Sequence, residues 1–205
     1  MDNAIITIGR QFGSGGKELA KVLSQKLGIP YYDKELLYHA AKEAGINADF
    51  FVNNDERVPK FINGTIPFSL GVNPMPWHTM ASAISDDRLY QAQSDFILQI
   101  AKKGSCILVG RTADYVLREL PNVVSVFITA DTDDRVKRII SRSESKDKAE
   151  ALKMTKKIDK LRANYYNFYS DKRWGDTSSY DLSFNSSRLP IPDIADLIIE
   201  YIKRR

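Results

Sequence analysis

Cysteine is almost missing from the 205-residue chain: Cys106 is the only one, so no intrachain disulfide can form. That thiol lies within Cys106-Ile107-Leu108-Val109, an apolar run that marks it as a buried structural residue. Histidine is scarce too. His39 and His78 stand without a paired carboxylate or metal-ligand spacing, and both read as structural or surface residues. No apolar run approaches the roughly 18 residues that span a bilayer, and the N-terminus lacks a basic stretch leading into an apolar one. The expected compartment is therefore the cytoplasm, with no membrane partner. A strong charge of one sign is also lacking. The 30 Lys and Arg against 26 Asp and Glu leave a net +4, which suits a phosphate-bearing partner without selecting nucleic acid. The densest basic stretch, Lys153 to Arg162, spreads around a helix and reads as a solvated surface. A content of 43% hydrophobic and 27% charged residues excludes wholesale disorder and suits one globular domain over 1–205.

What is present alternates strand with helix. Ala4 to Ile8 is a short β-branched run closed by Gly9, as expected of a buried parallel strand. From Lys17, the apolar residues Leu19, Ala20, Leu23 and Leu27 recur at helical spacing, and Gly28 with Pro30 supplies the stop. Ile29 to Tyr32 predicts a second strand, and Lys34 to Ala44 a second helix. Four prolines and two glycines then interrupt 53–85, which predicts a mobile acceptor-side insertion near 46–85. Helical periodicity resumes from Leu89 to Ile100, ahead of a strand from Cys106 to Val109. Another strand, Val123 to Ile128, precedes a helix over Thr132 to Ser143. The last strand is Tyr180 to Asn185, and the closing helix runs from about Pro192 to Ile202. This order predicts a doubly wound α/β fold with a mostly parallel five-stranded sheet and helices on both faces. Ligands in such folds bind beyond the strands' C-terminal ends, where the glycine loop, Asp33 and Gly110-Arg111 would converge.

Phosphate oxygens need many donors at close range. The turn Gly13-Ser14-Gly15-Gly16 supplies backbone N–H groups unobstructed by side chains, and the following helix adds its N-terminal dipole. Lys17 can add a positive charge. Aligned on Gly16-Lys17, the chain matches the phosphate-loop pattern G-x-x-x-x-G-K-[ST] in part: Gln11 stands for the first glycine and Glu18 for the Ser or Thr. Gly13, Ser14, Gly15, Gly16, Lys17 and Glu18 are the expected cofactor-binding residues. A dinucleotide-binding G-x-G-x-x-G loop is not matched. Asp33, just before Lys34-Glu35-Leu36, suits both an N-cap and a ligand contact.

Ile6 to Phe12 running into Gly13 to Lys17, then Pro30 to Asp33, Val109-Gly110-Arg111, Asp159 to Tyr166 and Tyr180-Asp181-Leu182 together resemble the cytidylate kinase-like family of bacterial P-loop nucleoside monophosphate kinases. The resemblance covers almost the whole chain. It implies a P-loop kinase fold with inserted acceptor-binding and lid segments, the lid helical near 135–170. It also implies ATP and Mg2+ as cofactors and transfer of the γ-phosphoryl group to a nucleoside monophosphate, CMP or dCMP favoured. By the same resemblance Arg111 binds the acceptor phosphate, Asp159 the acceptor nucleoside and Arg162 its phosphate, with Asp33 opening the acceptor site.

Several residues depart from the family pattern. His39 stands where those kinases have arginine after a tyrosine, Thr112 follows Gly110-Arg111 in place of aspartate, and Val109 replaces an acid that would help to hold magnesium. No metal ligands are assigned. Arg135, Arg138 and Arg142 share one side of a helix leading to the lid, where they suit either catalysis from a closing lid or a basic turn complementing the helix dipole. The expected catalytic residues are Lys17, Arg138 and Arg162. Tyr165, Tyr166, Phe168 and Tyr169 form an aromatic stripe expected in core packing. Two alternatives accompany this reading: a kinase of another small-molecule acceptor, permitted by His39 and Thr112, and a nucleotide-binding regulator with little turnover, suggested by Glu18 and Val109. The oligomeric state is open.

Overall fold

A computed structural model describes residues 4–43, 77–145 and 147–205. Its strands are β1 (Ile5–Arg10), β2 (Tyr31–Tyr32), β3 (Cys106–Val109), β4 (Val123–Thr129) and β5 (Leu182–Asn185). Its helices are α1 (Gly16–Leu27), α2 (Lys34–Glu43), α3 (Trp77–Lys103), the single turn α4 (Ala113–Val116), α5 (Thr132–Ser141), α6 (Lys148–Tyr169) and α7 (Ile191–Arg204).

The sheet order is β2-β3-β1-β4-β5, and every described pairing is parallel. In register, Ile6 of β1 stands between Ile107 of β3 and Val124 of β4. A central parallel strand is covered on both faces, which is why β1, β3 and β4 are near-continuous apolar runs. Successive side chains point to opposite faces. Ile6 and Ile8 pack under α1 and α7, with Leu19, Leu23, Ile194 and Ile198. Ile5 faces the other layer with Leu37, Phe96, Ile97, Cys106 and Leu108. Because all five strands point the same way, the segments leaving β1, β2, β3 and β4 meet at one edge of the sheet.

Some boundaries differ from the sequence pattern. The helix expected from Leu89 begins at Trp77. No proline or glycine follows Pro76 until Gly104, so nothing interrupts the helical backbone from Trp77 to Lys103. The rest of the insertion expected near 46–85 lies outside the described residues. β2 is only Tyr31–Tyr32, since Pro30 has no N–H for the ladder and contributes only its carbonyl, 2.9 Å from the N–H of Ile107. α5 stops at Ser141, and Ser143 beyond it is left-handed with φ 58°.

Candidate phosphate and acceptor clefts

The loop after β1 is tied down from beneath. The N–H of Gln11 donates to the Ile128 carbonyl at 3.0 Å, and its side-chain oxygen accepts the N–H of Ala130 at 3.2 Å. Gln11 thus bridges the exits of β1 and β4. The fully buried Ser14 spends its hydroxyl on the Ile128 and Gln11 carbonyls, at 2.9 and 2.8 Å. Gly13 and Gly15 are left-handed, with φ of 77° and 89°, a conformation that glycine adopts without strain. Gly15 is the N-cap of α1 and offers no side chain to the helix, whose first amides stay available to an external acceptor.

This geometry shifts the register expected from the motif. The last left-handed glycine of the loop is Gly15, and Gly16 is already the first residue of α1. Counted from Gly15, the lysine position of the phosphate-loop pattern falls on Gly16 and its hydroxyl position on Lys17. The Lys17 ammonium turns to Asp33 Oδ2 at 2.8 Å and to Glu35 Oε2 at 3.1 Å. Asp33 also accepts the N–H of Leu36 at 3.0 Å, so it caps α2 and pairs Lys17 together. The hydrogen bond to Asp33 raises Lys17 above its ordinary pKa, against an opposing effect of burial. Burial would raise the Asp33 carboxyl, but Lys17 and the backbone N–H donors outweigh it and hold the group below its ordinary value.

Two helices hold the loop from the other side. Arg135, 6% exposed, donates through Nε to the Phe12 carbonyl at 2.7 Å and forms an ion pair with Asp159. Asp159 Oδ1 accepts the N–H of Phe12 at 2.7 Å. Arg138 reaches the Gly13 carbonyl at 3.4 Å and the Ser186 hydroxyl at 3.1 Å. Arg142 approaches Glu18 at 4.0 Å. Asp159, expected at an acceptor nucleoside, and Arg138, expected to act from a lid, are therefore both engaged in holding the loop, and neither lines the clefts described next. The spacing that put Asp159 and Arg162 on one face holds: Arg162 donates to the Arg10 carbonyl at 3.2 Å.

Two clefts meet here. The first lies over the loop and is walled by Gly13, Gly15, Gly16, Lys17, Asp33 and Arg142. The second is walled by Arg111, Asp114, Tyr165, Tyr166, Trp174 and Tyr180. Arg10, Lys34, Val109 and Arg162 line both. Gly110, Arg111 and Thr112 are successive left-handed residues, with φ of 80°, 61° and 51°. Two non-glycine residues in that region store roughly 1–3 kcal/mol of strain each, which is found where a backbone is held for function. The Tyr166 hydroxyl donates to Asp114 Oδ2 at 2.6 Å. Burial raises the carboxyl of Asp114, and burial, then the Asp114 charge, raises Tyr166. Tyr166 packs near Tyr180, and Tyr90 stacks on Tyr169 with centroids 3.9 Å apart, so the aromatic stripe is partly core and partly cleft wall. His39 is exposed, edge-on to Tyr38.

Sequence reasoning passes over Arg10. A Cβ on Gly16 would fall 2.7 Å from Arg10 Cβ and 2.9 Å from its Cγ, and one on Gly110 would collide with its guanidinium. The available signal was an arginine closing a buried strand immediately before the loop.

Among the described residues, no helix is long and apolar enough to cross a membrane. The profile of the cytidylate kinase-like family matches residues 5–188. A cytidylate kinase of Methanococcus vannielii is 29% identical over 205 residues, covering 97% of this chain and 99% of that one. An uncharacterised protein from Eubacterium ventriosum has a structure superposing with TM-score 0.73 and 33% identity, over 98% of this chain and 99% of the other. A shikimate kinase from Bacteroides thetaiotaomicron shares the fold at TM-score 0.54 and 13% identity, over 98% of both chains.

Proposed function

The chain belongs to the cytidylate kinase-like family, and from that premise we propose that it transfers the γ-phosphoryl group of ATP to a nucleoside monophosphate, with CMP or dCMP preferred. The observation that carries this reading is the shared wall: a phosphate loop and a second cleft open into each other past Arg10, Lys34 and Arg162. Phosphoryl transfer asks the protein for positioning and charge neutralisation more than for covalent chemistry, and three cations at the junction of two clefts meet that need.

The loop suits a triphosphate. Left-handed Gly13 and Gly15 line the cleft, as do Gly16 and Lys17 at the uncapped start of α1, where the first helical N–H groups have no partner within the helix. Lys17 supplies a cation at the mouth, within reach of Asp33. On the acceptor side, Arg111 and Arg162 would hold the monophosphate, and the aromatic wall around Tyr166 and Tyr180 would face the nucleoside. Magnesium, when bound, neutralises phosphate charge. Among the described residues, no three carboxylates, histidines or cysteines converge on a metal site, so the ion would arrive on the phosphates, with Asp33 as the nearest buried carboxylate.

The test is turnover of purified protein with ATP and magnesium against CMP, dCMP, UMP, AMP, GMP and shikimate, followed as ADP release. ADP release dependent on a pyrimidine monophosphate supports the reading. Release with a different acceptor moves the substrate elsewhere, as His39 in place of the family's arginine would permit. No release with any acceptor, alongside tight ATP binding, identifies a regulator and overturns the proposal.

A further inference from the structure

We propose that Arg10 is the fixed cation that spans donor and acceptor phosphates during transfer, replacing the lysine that the phosphate-loop pattern would place at residue 16. The inference rests on the kinase reading above and names a part of its machinery that the sequence motif conceals.

Three observations lead to it. The loop's final left-handed glycine is Gly15, so the next position, where the pattern carries lysine, is occupied by Gly16 and has no side chain. Lys17 cannot stand in without leaving Asp33, since its ammonium is 2.8 Å from that carboxylate. The space in front of Gly16 is instead filled by Arg10: an added Cβ there would meet Arg10 Cβ at 2.7 Å, the rigid root of the side chain, which cannot swing aside.

A second glycine, on another strand exit, is cleared for the same side chain. Gly110 follows β3 with φ 80°, and its missing Cβ is where the Arg10 guanidinium lies. The start of α1 and the exit of β3 thus each carry a hydrogen in place of a side chain around one arginine. Its position is held further by Arg162, which donates to the Arg10 carbonyl at 3.2 Å and lies 5.6 Å from the Phe12 ring centroid. Arg10 lines both clefts. A guanidinium presents a planar fork of donors that can grip two phosphate oxygens at once, a geometry that an ammonium lacks.

In the transfer, the bond from the γ-phosphorus to the β–γ bridging oxygen breaks, and its electron pair leaves on ADP. A bond from an acceptor phosphate oxygen to the same phosphorus forms. Arg10 stays protonated throughout, and opposes the charge on the oxygens that pass between the clefts.

The experiment compares the wild-type chain with Arg10→Met, Arg10→Lys, Gly110→Ala and the double variant Arg10→Met/Gly110→Ala. Arg10→Met is expected to lower kcat on the order of 100-fold or more, as for removal of a preorganised charge at a transition state, while the KM for ATP changes less. Arg10→Lys should recover only part of that loss, with an unchanged melting temperature, because it keeps the charge and loses the fork. Gly110→Ala, which pushes the guanidinium aside, should mimic Arg10→Met, and the double variant should be no worse than Arg10→Met alone. A wild-type kcat in Arg10→Met, or losses that add in the double variant, overturns the proposal. If the wild-type chain releases no ADP with any acceptor, the kinase reading fails, and Arg10 is then judged by calorimetric titration with inorganic tripolyphosphate. Affinity at least tenfold weaker in Arg10→Met sustains its phosphate role, and equal affinity removes it.

Discussion

Lys17 Nζ lies 2.8 Å from Asp33 Oδ2, so the lysine of the glycine loop is joined to the residue that caps α2. The contact ties the donor side of the cleft to the strand exit expected to open the acceptor side.

That pair makes a pH-dependent contribution to stability. Asp33 titrates below its ordinary 3.8, so its contribution is present above that value and lost as pH falls through the lowered pKa. Lys17 titrates above its ordinary 10.5, so its contribution is full below that value and lost as pH rises through the raised pKa. Asp33→Asn keeps an oxygen for the Leu36 N–H and removes only the charge. Thermal melts should show it less stable by about 0.5–1 kcal/mol between those limits, the ion pair being half exposed on the lysine side. The difference should close at both extremes. A constant difference across pH would assign the effect to the cap alone.

Asp159 and Arg135 are expected to matter for folding before catalysis. Their ion pair is largely shielded, and each also binds the Phe12 backbone. Asp159→Ala leaves Arg135 unpaired, which should cost about 3 kcal/mol and lower the melting temperature by roughly 6–12 °C. A variant that melts like the wild type but has a raised KM for the acceptor would return Asp159 to the nucleoside contact implied by family resemblance.

Burial raises the Asp114 carboxyl, with Tyr166 as its hydroxyl donor. The charged form is the disfavoured one, so the chain loses stability as pH rises through 3.8 towards the raised pKa. Asp114→Asn escapes that loss. Its melting temperature, relative to wild type, should improve from acid to neutral pH. Tyr166→Phe strips the donor and should cost about 1–3 kcal/mol at neutral pH. If Asp114→Asn tracks the wild type at every pH, the carboxyl is not desolvated in the cleft.

The sheet was readable because its strands are buried on both faces, which leaves unbroken apolar runs such as Cys106 to Val109 and Val123 to Ile128. The convergence of Asp33, Gly110-Arg111 and the glycine loop followed from parallel strands alone. The loop register did not. Gly15 and Gly16 are adjacent, and spacing cannot tell which takes the positive φ. The partners of Asp159 were hidden for a similar reason: one helical turn to Arg162 fixes a shared face but not the loop that this face meets. Arg10 was hidden because what marks it is the absence of Cβ atoms at residues 16 and 110, far apart in the chain. The start of α3 at Trp77 was hidden because it follows Pro74 and Pro76 directly, inside a stretch whose prolines and glycines interrupt the helical pattern.

On the proposed reading, phosphate passes from the loop cleft to the acceptor cleft across Arg10 and Arg162. Incubating the chain with γ-labelled ATP, magnesium and CMP, then separating the products, follows that passage. Label in CDP, lost on Arg162→Met, is the predicted result. Label that stays in ATP or appears only as inorganic phosphate, with CMP and every other monophosphate unmodified, would show that no phosphoryl group crosses between the clefts.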